Sequence, residues 1–264
     1  MADDTNPFTD PHPKEVPLPK APLVRVLAQI RFPEILAIEN KELVAAFQED
    51  LRSTYPVLRQ EQTAGVALGP SGLTPTKAIA WRFSDLENTW RVTLTTGFVS
   101  LETTAYLSRR DFLVRLRAVC AAMEKHVQPK LVDRIGVRYV DRLVGNALPI
   151  LSQLIQPPVL GIVGTSLGNS ALHSLQETLF TLSSGQLLAR WGLLPADLTT
   201  DPGVMDASPE RSWILDLDMF GGEASPFNVD KLVQSVGSYA EQIHAFFRWA
   251  TTPEFLKHYG GKLE

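Results

Sequence analysis

The residues best suited to chemistry are arginines and aspartates that recur two apart. In Asp133-Arg134-Ile135-Gly136-Val137-Arg138-Tyr139-Val140-Asp141-Arg142 the even positions carry Arg134, Arg138 and Arg142, with Gly136 and Val140 between them. The odd positions Ile135, Val137, Tyr139 and Leu143 are apolar, and only Asp141 breaks the run. A period of two predicts a strand whose same-face side chains stand about 7 Å apart. Its three arginines then line one face, and a guanidinium fork suits carboxylate or phosphate. Arg25 and Arg31, on the opening strand, are expected on the matching face. The counter-charges are Asp216 and Asp218, opposite Trp213, Leu215, Leu217 and Met219, with Glu102 on an earlier strand. Three chemistries fit this pattern. The acids and arginines pair across strands and solvate the sheet. Alternatively, the face recognises an anionic group or a partner protein. Last, Asp216 and Asp218 hold Mg²⁺; no third ligand is signalled and neighbouring arginines oppose a cation.

Other chemistry finds little support. His12, His126, His173, His244 and His258 show no metal-ligand spacing, so structural or solvent roles are expected. Cys120 is the sole cysteine, which excludes a disulfide framework and a Cys-rich zinc site; its place on an apolar stripe predicts an inert buried thiol. No P-loop, dinucleotide fingerprint or Gly-x-Ser-x-Gly occurs, and Gly65, Gly69 and Gly72 read as a loop between strands. Neither a cofactor nor a metal is expected. The net charge of −4 argues against bulk nucleic-acid binding. The acidic start lacks the apolar core of a signal peptide, and no segment is long and apolar enough to span a bilayer. The expectation is a soluble cytoplasmic protein; a homodimer stays open.

These residues need a scaffold. Residues 1–22 hold six prolines and predict an extended or disordered arm, solvated or docked on a partner. Residues 23–130 then read as a first α+β repeat. Val24, Val26, Ala28, Ile30 and Phe32 alternate with Arg25, Gln29 and Arg31. Asn40 caps a helix with Leu43, Phe47, Leu51 and Tyr55 on one stripe. Strands follow near 59–68, 78–83, 89–95 and 98–106; residues 84–88 form a hairpin loop. Ser108 caps a helix buried through Phe112, Leu116, Cys120 and Met123. Residues 131–264 read as a second repeat, packed with the first as one globular unit. The arginine strand opens it, and a Pro-broken apolar segment, 151–163, replaces the first helix. Strands are expected near 174–182, 186–194 and 213–220, with a turn at Ser183-Ser184-Gly185. Asn228 caps a final amphipathic helix. The fold class is therefore α+β: a duplicated strand, helix, antiparallel strands, helix unit. Its curved antiparallel sheet would carry helices on one face, similar in outline to a saddle or helix-grip fold.

Several landmarks together carry a resemblance. They are Pro22-Leu23 before Ala28-Gln29-Ile30-Arg31-Phe32, Trp81-x-Phe83, Arg134-Ile135-Gly136-Val137-Arg138-Tyr139, Leu215-Asp216-Leu217-Asp218 and His244-x-x-Phe247. The set resembles a sporadically distributed family of uncharacterised bacterial proteins of about this length. The resemblance covers nearly all of the chain after Pro22 and implies no settled activity. Patchy distribution is a habit of mobile genes, so it hints at a toxin–antitoxin or anti-phage setting. The expected function is a non-enzymatic component that binds a protein encoded nearby. The alternative is a sensor for a small anionic ligand or nucleotide on Arg31, Arg134, Arg138 and Arg142.

Overall fold

The computed structural model describes residues 6–9, 13–69 and 72–262. Strand β1 spans Leu23–Arg31; Val26, Ala28 and Ile30 are buried while Arg31 is exposed. A 3-10 turn, Leu36–Glu39, leads to helix α1, Lys41–Leu51. The Asn40 side chain accepts from the Glu42 amide, and the helix buries Val44, Phe47 and Leu51. That is the predicted cap, satisfying an amide with no partner inside the helix. Strands β2, Val57–Gly69, and β3, Gly72–Ser84, pair antiparallel along their whole length. The glycine cluster is thus no loop: Gly65 lies within β2, and Gly69 and Gly72 close its hairpin ladder. Strands β4, Trp90–Leu94, and β5, Phe98–Thr103, follow. Helix α2, Arg109–Ala122, starts at Ser108, whose hydroxyl accepts from the Asp111 amide. One π-helical turn, Met123–Val127, extends it and ends at left-handed Gln128.

Strand β6, Leu131–Val132, precedes the arginine strand β7, Arg134–Leu143. The Pro-broken segment becomes helical turns: Gly145–Ile150, α3 at Leu151–Leu154, α4 at Pro157–Leu160, Gly161–Gly164 and Ser166–Ser170. Strands β8, Ser174–Leu182, and β9, Gly185–Leu194, form a hairpin. Strand β10, Ser212–Gly221, and the short β11, Ser225–Pro226, lead to α5, Val229–Ala250, and α6, Pro253–His258. The architecture is mixed α+β with antiparallel strand pairing. Among the described residues no helix is long and apolar enough to cross a membrane.

The chain forms two compact units, and their limits differ from the two repeats expected. One unit joins Leu27–Gly136 with Gly221–Val236. Its later segment is fastened there by β11, which pairs Ser225 with Val132. The Phe227 amide also bonds the Lys130 carbonyl, and Arg117 pairs with Asp230 at 2.5 Å. Its strands run in the order β2-β3-β4-β5-β1, with the start of β7 beside β1. Phe47, Phe83, Leu94, Leu101, Phe112 and Leu116 form its core. Trp81 donates its indole N–H to the Ile38 carbonyl at 2.9 Å, so the buried ring is satisfied.

The other unit holds the described residues up to Val26, Val137–Phe220 and the described residues from Gly237 on. Its order is β7-β10-β9-β8, and it buries Trp213, Leu215, Leu217, Ile243, Phe246 and Phe255. The described part of the proline-rich arm lies on this unit. Phe8 stands 5.4 Å from the Phe180 ring and 6.1 Å from Phe246. Arg248 donates to the Lys14 carbonyl at 3.1 Å, and the Lys20 amide donates to the Tyr259 carbonyl at 3.2 Å. Prolines bar the arm from a sheet ladder, yet the Lys14 carbonyl, the Lys20 amide and the Phe8 ring dock it.

Candidate functional site

The expected arginine face divides into a closed region and an open one. The closed region lies in the unit that contains Arg138. Strand register sets Asp216 opposite Arg190, and Arg190 opposite Glu177. Arg138 grips Asp216 with a fork: Nε to Oδ1 at 2.7 Å and Nη2 to Oδ2 at 2.7 Å. Its remaining Nη1 donates to Asp201 Oδ2 at 2.7 Å. Arg190 stands 3.6 Å from Asp216 and also bonds Glu177. Charges therefore alternate across β7, β10, β9 and β8. The Arg138 and Asp216 side chains are only 11% and 2% exposed. Burial works against the Arg138 cation, but the hydrogen bonds and charges of Asp216 and Asp201 outweigh it, and its pKa is raised. Burial likewise works against the Asp201 carboxylate. Arg138, the Gly203 amide and the Arg190 charge reverse this and lower its pKa.

This region is not the open basic face that the alternation predicted. Val140, on the same side of β7 as Arg138, is buried with Leu194, Met205 and Ile214, and Val24 and Val204 pack against them. Residues 195–211, between β9 and β10, supply Met205 and Val204 and cover that face. Arg142 is tied down as well: its Nη2 donates to the Asp206 carbonyl. Arg25 is half-buried in β1, and half-buried Asp218 stands opposite Leu188. Glu102 does not join the ladder; it pairs with Arg91 at 3.1 Å in the other unit. A cation held by Asp216 would have to displace Arg138 from both carboxylate oxygens.

Asp141 points the other way, among core residues. Only 6% of it is exposed, and burial pushes its carboxyl up to about 7. No hydrogen bond or cation among the described residues offsets that burial. The Tyr259 hydroxyl is pushed up to about 12, first by burial and then by the Asp141 charge.

The open region lies in the other unit. Arg31, Phe32, Pro33, Glu34, Thr96, Gly97, Asp133 and Arg134 line a cleft of about 390 Å³. Its walls are pinned by backbone bonds: Phe32 to the Gly97 carbonyl at 3.1 Å, Ile35 to Thr96 at 2.8 Å, and Asp133 to Arg31 at 2.8 Å. The Thr96 hydroxyl donates to Glu34 at 3.2 Å. Among the described residues the exposed Arg31 guanidinium has no ion pair or hydrogen bond. A Cβ added at Gly97 would meet nothing within 4 Å. Of the arginines expected to act together, Arg31 and Arg134 share this cleft, whereas Arg138 and Arg142 serve the closed region.

Sequence reasoning missed Arg190, Glu177 and Asp201. The first two had a signal, since alternation on β8 and β9 sets them on one face with Asp216. Asp201 had only Asp201-Pro202-Gly203, which marks a turn and names no partner. No protein-family model matches the chain, and no curated protein matches its sequence.

Proposed function

We propose that the chain is a non-enzymatic binding protein whose recognition site is the Arg31 cleft. Its ligand is a small molecule of nucleotide size bearing a carboxylate or phosphate. One observation carries this reading: the Arg31 guanidinium is exposed and unpartnered among the described residues, beside a cleft large enough for such a ligand. Arg31 would take the anionic group, and Glu34 and Asp133 would accept from ligand hydroxyl or amine groups. The test is thermal shift and calorimetry with nucleoside monophosphates and inorganic phosphate. Binding should be lost in Arg31→Ala, and in Gly97→Leu, which fills the open space. No shift with any of them at millimolar concentration sinks the reading.

A second reading, binding of a protein encoded nearby in a toxin–antitoxin or anti-phage module, draws on β8. This strand ends its sheet order, pairs only with β9 among the described residues, and exposes Leu175 at 38% and Leu179 at 52%. An unpaired edge of that kind is a template for an incoming strand. Co-purification with the neighbouring gene's product should be abolished by Leu179→Lys; unchanged recovery rejects it. Element order also supports the proposed duplication: β1, α1, β2 to β5 and α2 are answered by β7, short helical turns, β8 to β10 and α5.

A further inference from the structure

We infer that Arg138 and the apolar floor beneath residues 195–211 form a second binding site, for an acidic peptide carrying an apolar side chain, which the loop itself fills in this structure. The inference concerns a different unit from the Arg31 cleft and does not depend on it.

Arg138 makes three hydrogen bonds to two carboxylates. Two bonds go to Asp216, a strand residue 2% exposed and fixed by the β9–β10 ladder. The third goes to Asp201, a loop residue 35% exposed. Only that third bond can be exchanged without disturbing the sheet. Beside it Val140, Leu194 and Ile214 form an apolar floor, on which Met205 is the inserted side chain, 4% exposed. The site is therefore a cation next to an apolar socket, and its present occupant supplies a carboxylate and a thioether.

The loop is built as a ligand would be. Its ends meet where the Asp197 amide donates to the Ser208 carbonyl at 2.7 Å. Inside, the Val204 and Met205 amides both donate to the Asp201 carbonyl, at 3.1 and 2.9 Å. The Gly203 amide holds Asp201 Oδ1 at 3.1 Å, which leaves Oδ2 for Arg138. The Thr199 hydroxyl closes the turn on the Met205 carbonyl at 2.6 Å. These bonds lie within the loop and set Asp201 and Met205 side by side on one short turn. Compact loops with adjoining ends open locally at lower cost than strands. Being tethered, this one competes at an effective concentration in the millimolar range, which hides the site from any weaker free peptide.

The experiment uses the full chain and a fluorescein-labelled peptide of the loop sequence, Asp197 to Ser208. Asp201→Asn with Met205→Ala weakens the internal occupant. Anisotropy should show this double variant binding the peptide at least about tenfold tighter than the wild-type chain does. The same peptide with Asn in place of Asp201 should lose that gain. Equal affinities of both chains for the peptide, with the double variant folded by its melting curve, overturn the inference. If the double variant does not fold, hydrogen exchange on the wild-type chain decides. The Val204 and Met205 amides should exchange well ahead of the β10 amides. Exchange as slow as β10 means that the loop does not leave its socket, and the inference falls.

Discussion

Arg138 and Arg31 are the same side chain put to opposite uses. Arg138 sits mid-strand, with an acid in register on the next strand and a loop folded over it. Arg31 closes its strand beside a cleft that also holds Glu34 and Asp133, exposed and without an ion pair or hydrogen bond among the described residues. Both carry an intrinsic readiness to bind carboxylate or phosphate. The difference lies in the neighbours: where the protein supplies its own carboxylates, the arginine becomes part of the fold. A free ligand therefore meets Arg31 directly, whereas one at Arg138 must first displace Asp201, and an arginine-rich strand by itself does not tell the two apart.

The sharpest way to break this comparison is to remove Arg138. Arg138→Met keeps much of the stem but leaves the Asp216 carboxylate buried at 2% exposure without its forked partner. Breaking a buried pair from one side costs about 3–5 kcal/mol. Urea denaturation should record a loss of that order. A loss below about 1 kcal/mol, the range of exposed pairs, would show that the ladder is solvated and that Arg138 is as available as Arg31.

Two aspartates of the closed unit extend the contrast to pH. Asp201 has a lowered pKa, so its contribution is present above the unfolded value and lost as pH falls through the folded one. Asp141 is the reverse case. Its carboxyl is raised to about 7, so the folded state binds a proton more tightly than the unfolded chain. Stability from this group is complete below about pH 4 and lost as pH rises through about 7. Asp141→Asn should therefore stabilise the protein at pH 8, by up to a few kcal/mol, and change little at pH 4. Melting temperatures of both chains across that window check it. A constant difference from pH 4 to 8 would mean that the Asp141 carboxyl is not the group that titrates. Asp201→Asn acts at the exposed end of the ladder and should cost only about 1 kcal/mol at pH 7, since solvent and salt screen that bond. A cost like that of Arg138→Met would place the whole network, loop included, inside the core.

The period-two alternation that places Arg134, Arg138 and Arg142 on one strand face is legible in the sequence, as are the Asn40 and Ser108 caps and the β8–β9 hairpin. Local rules decide those features. Val140 shows where they stop. It lies between arginines on the face expected to be open, and only a loop returning from residues 195–211 makes it core. Nothing in a polar stretch holding Asp201-Pro202-Gly203 predicts that Met205 will be inserted at that spot. The arm misleads for a related reason. Its prolines do exclude helix and sheet, but they do not prevent docking through the Lys14 carbonyl, the Lys20 amide and Phe8. Asp141 breaks the apolar run visibly; that it is buried with no offsetting partner among the described residues depends on tertiary packing, which no spacing encodes.

The smallest expected stability effect is also the most informative. Arg31→Ala removes an exposed side chain with no ion pair or hydrogen bond among the described residues, so unfolding free energy should move by no more than about 0.5 kcal/mol. Its consequence should fall entirely on binding. If wild-type protein is stabilised by a nucleoside monophosphate or phosphate, the Arg31→Ala chain should melt where the wild-type does without ligand, and should not respond to it. An equal ligand-induced shift in both chains would move the anion site away from this cleft. A large loss of stability without ligand would show that Arg31 has a structural partner after all. Either result would erase the distinction between an arginine consumed by the fold and one left for a ligand.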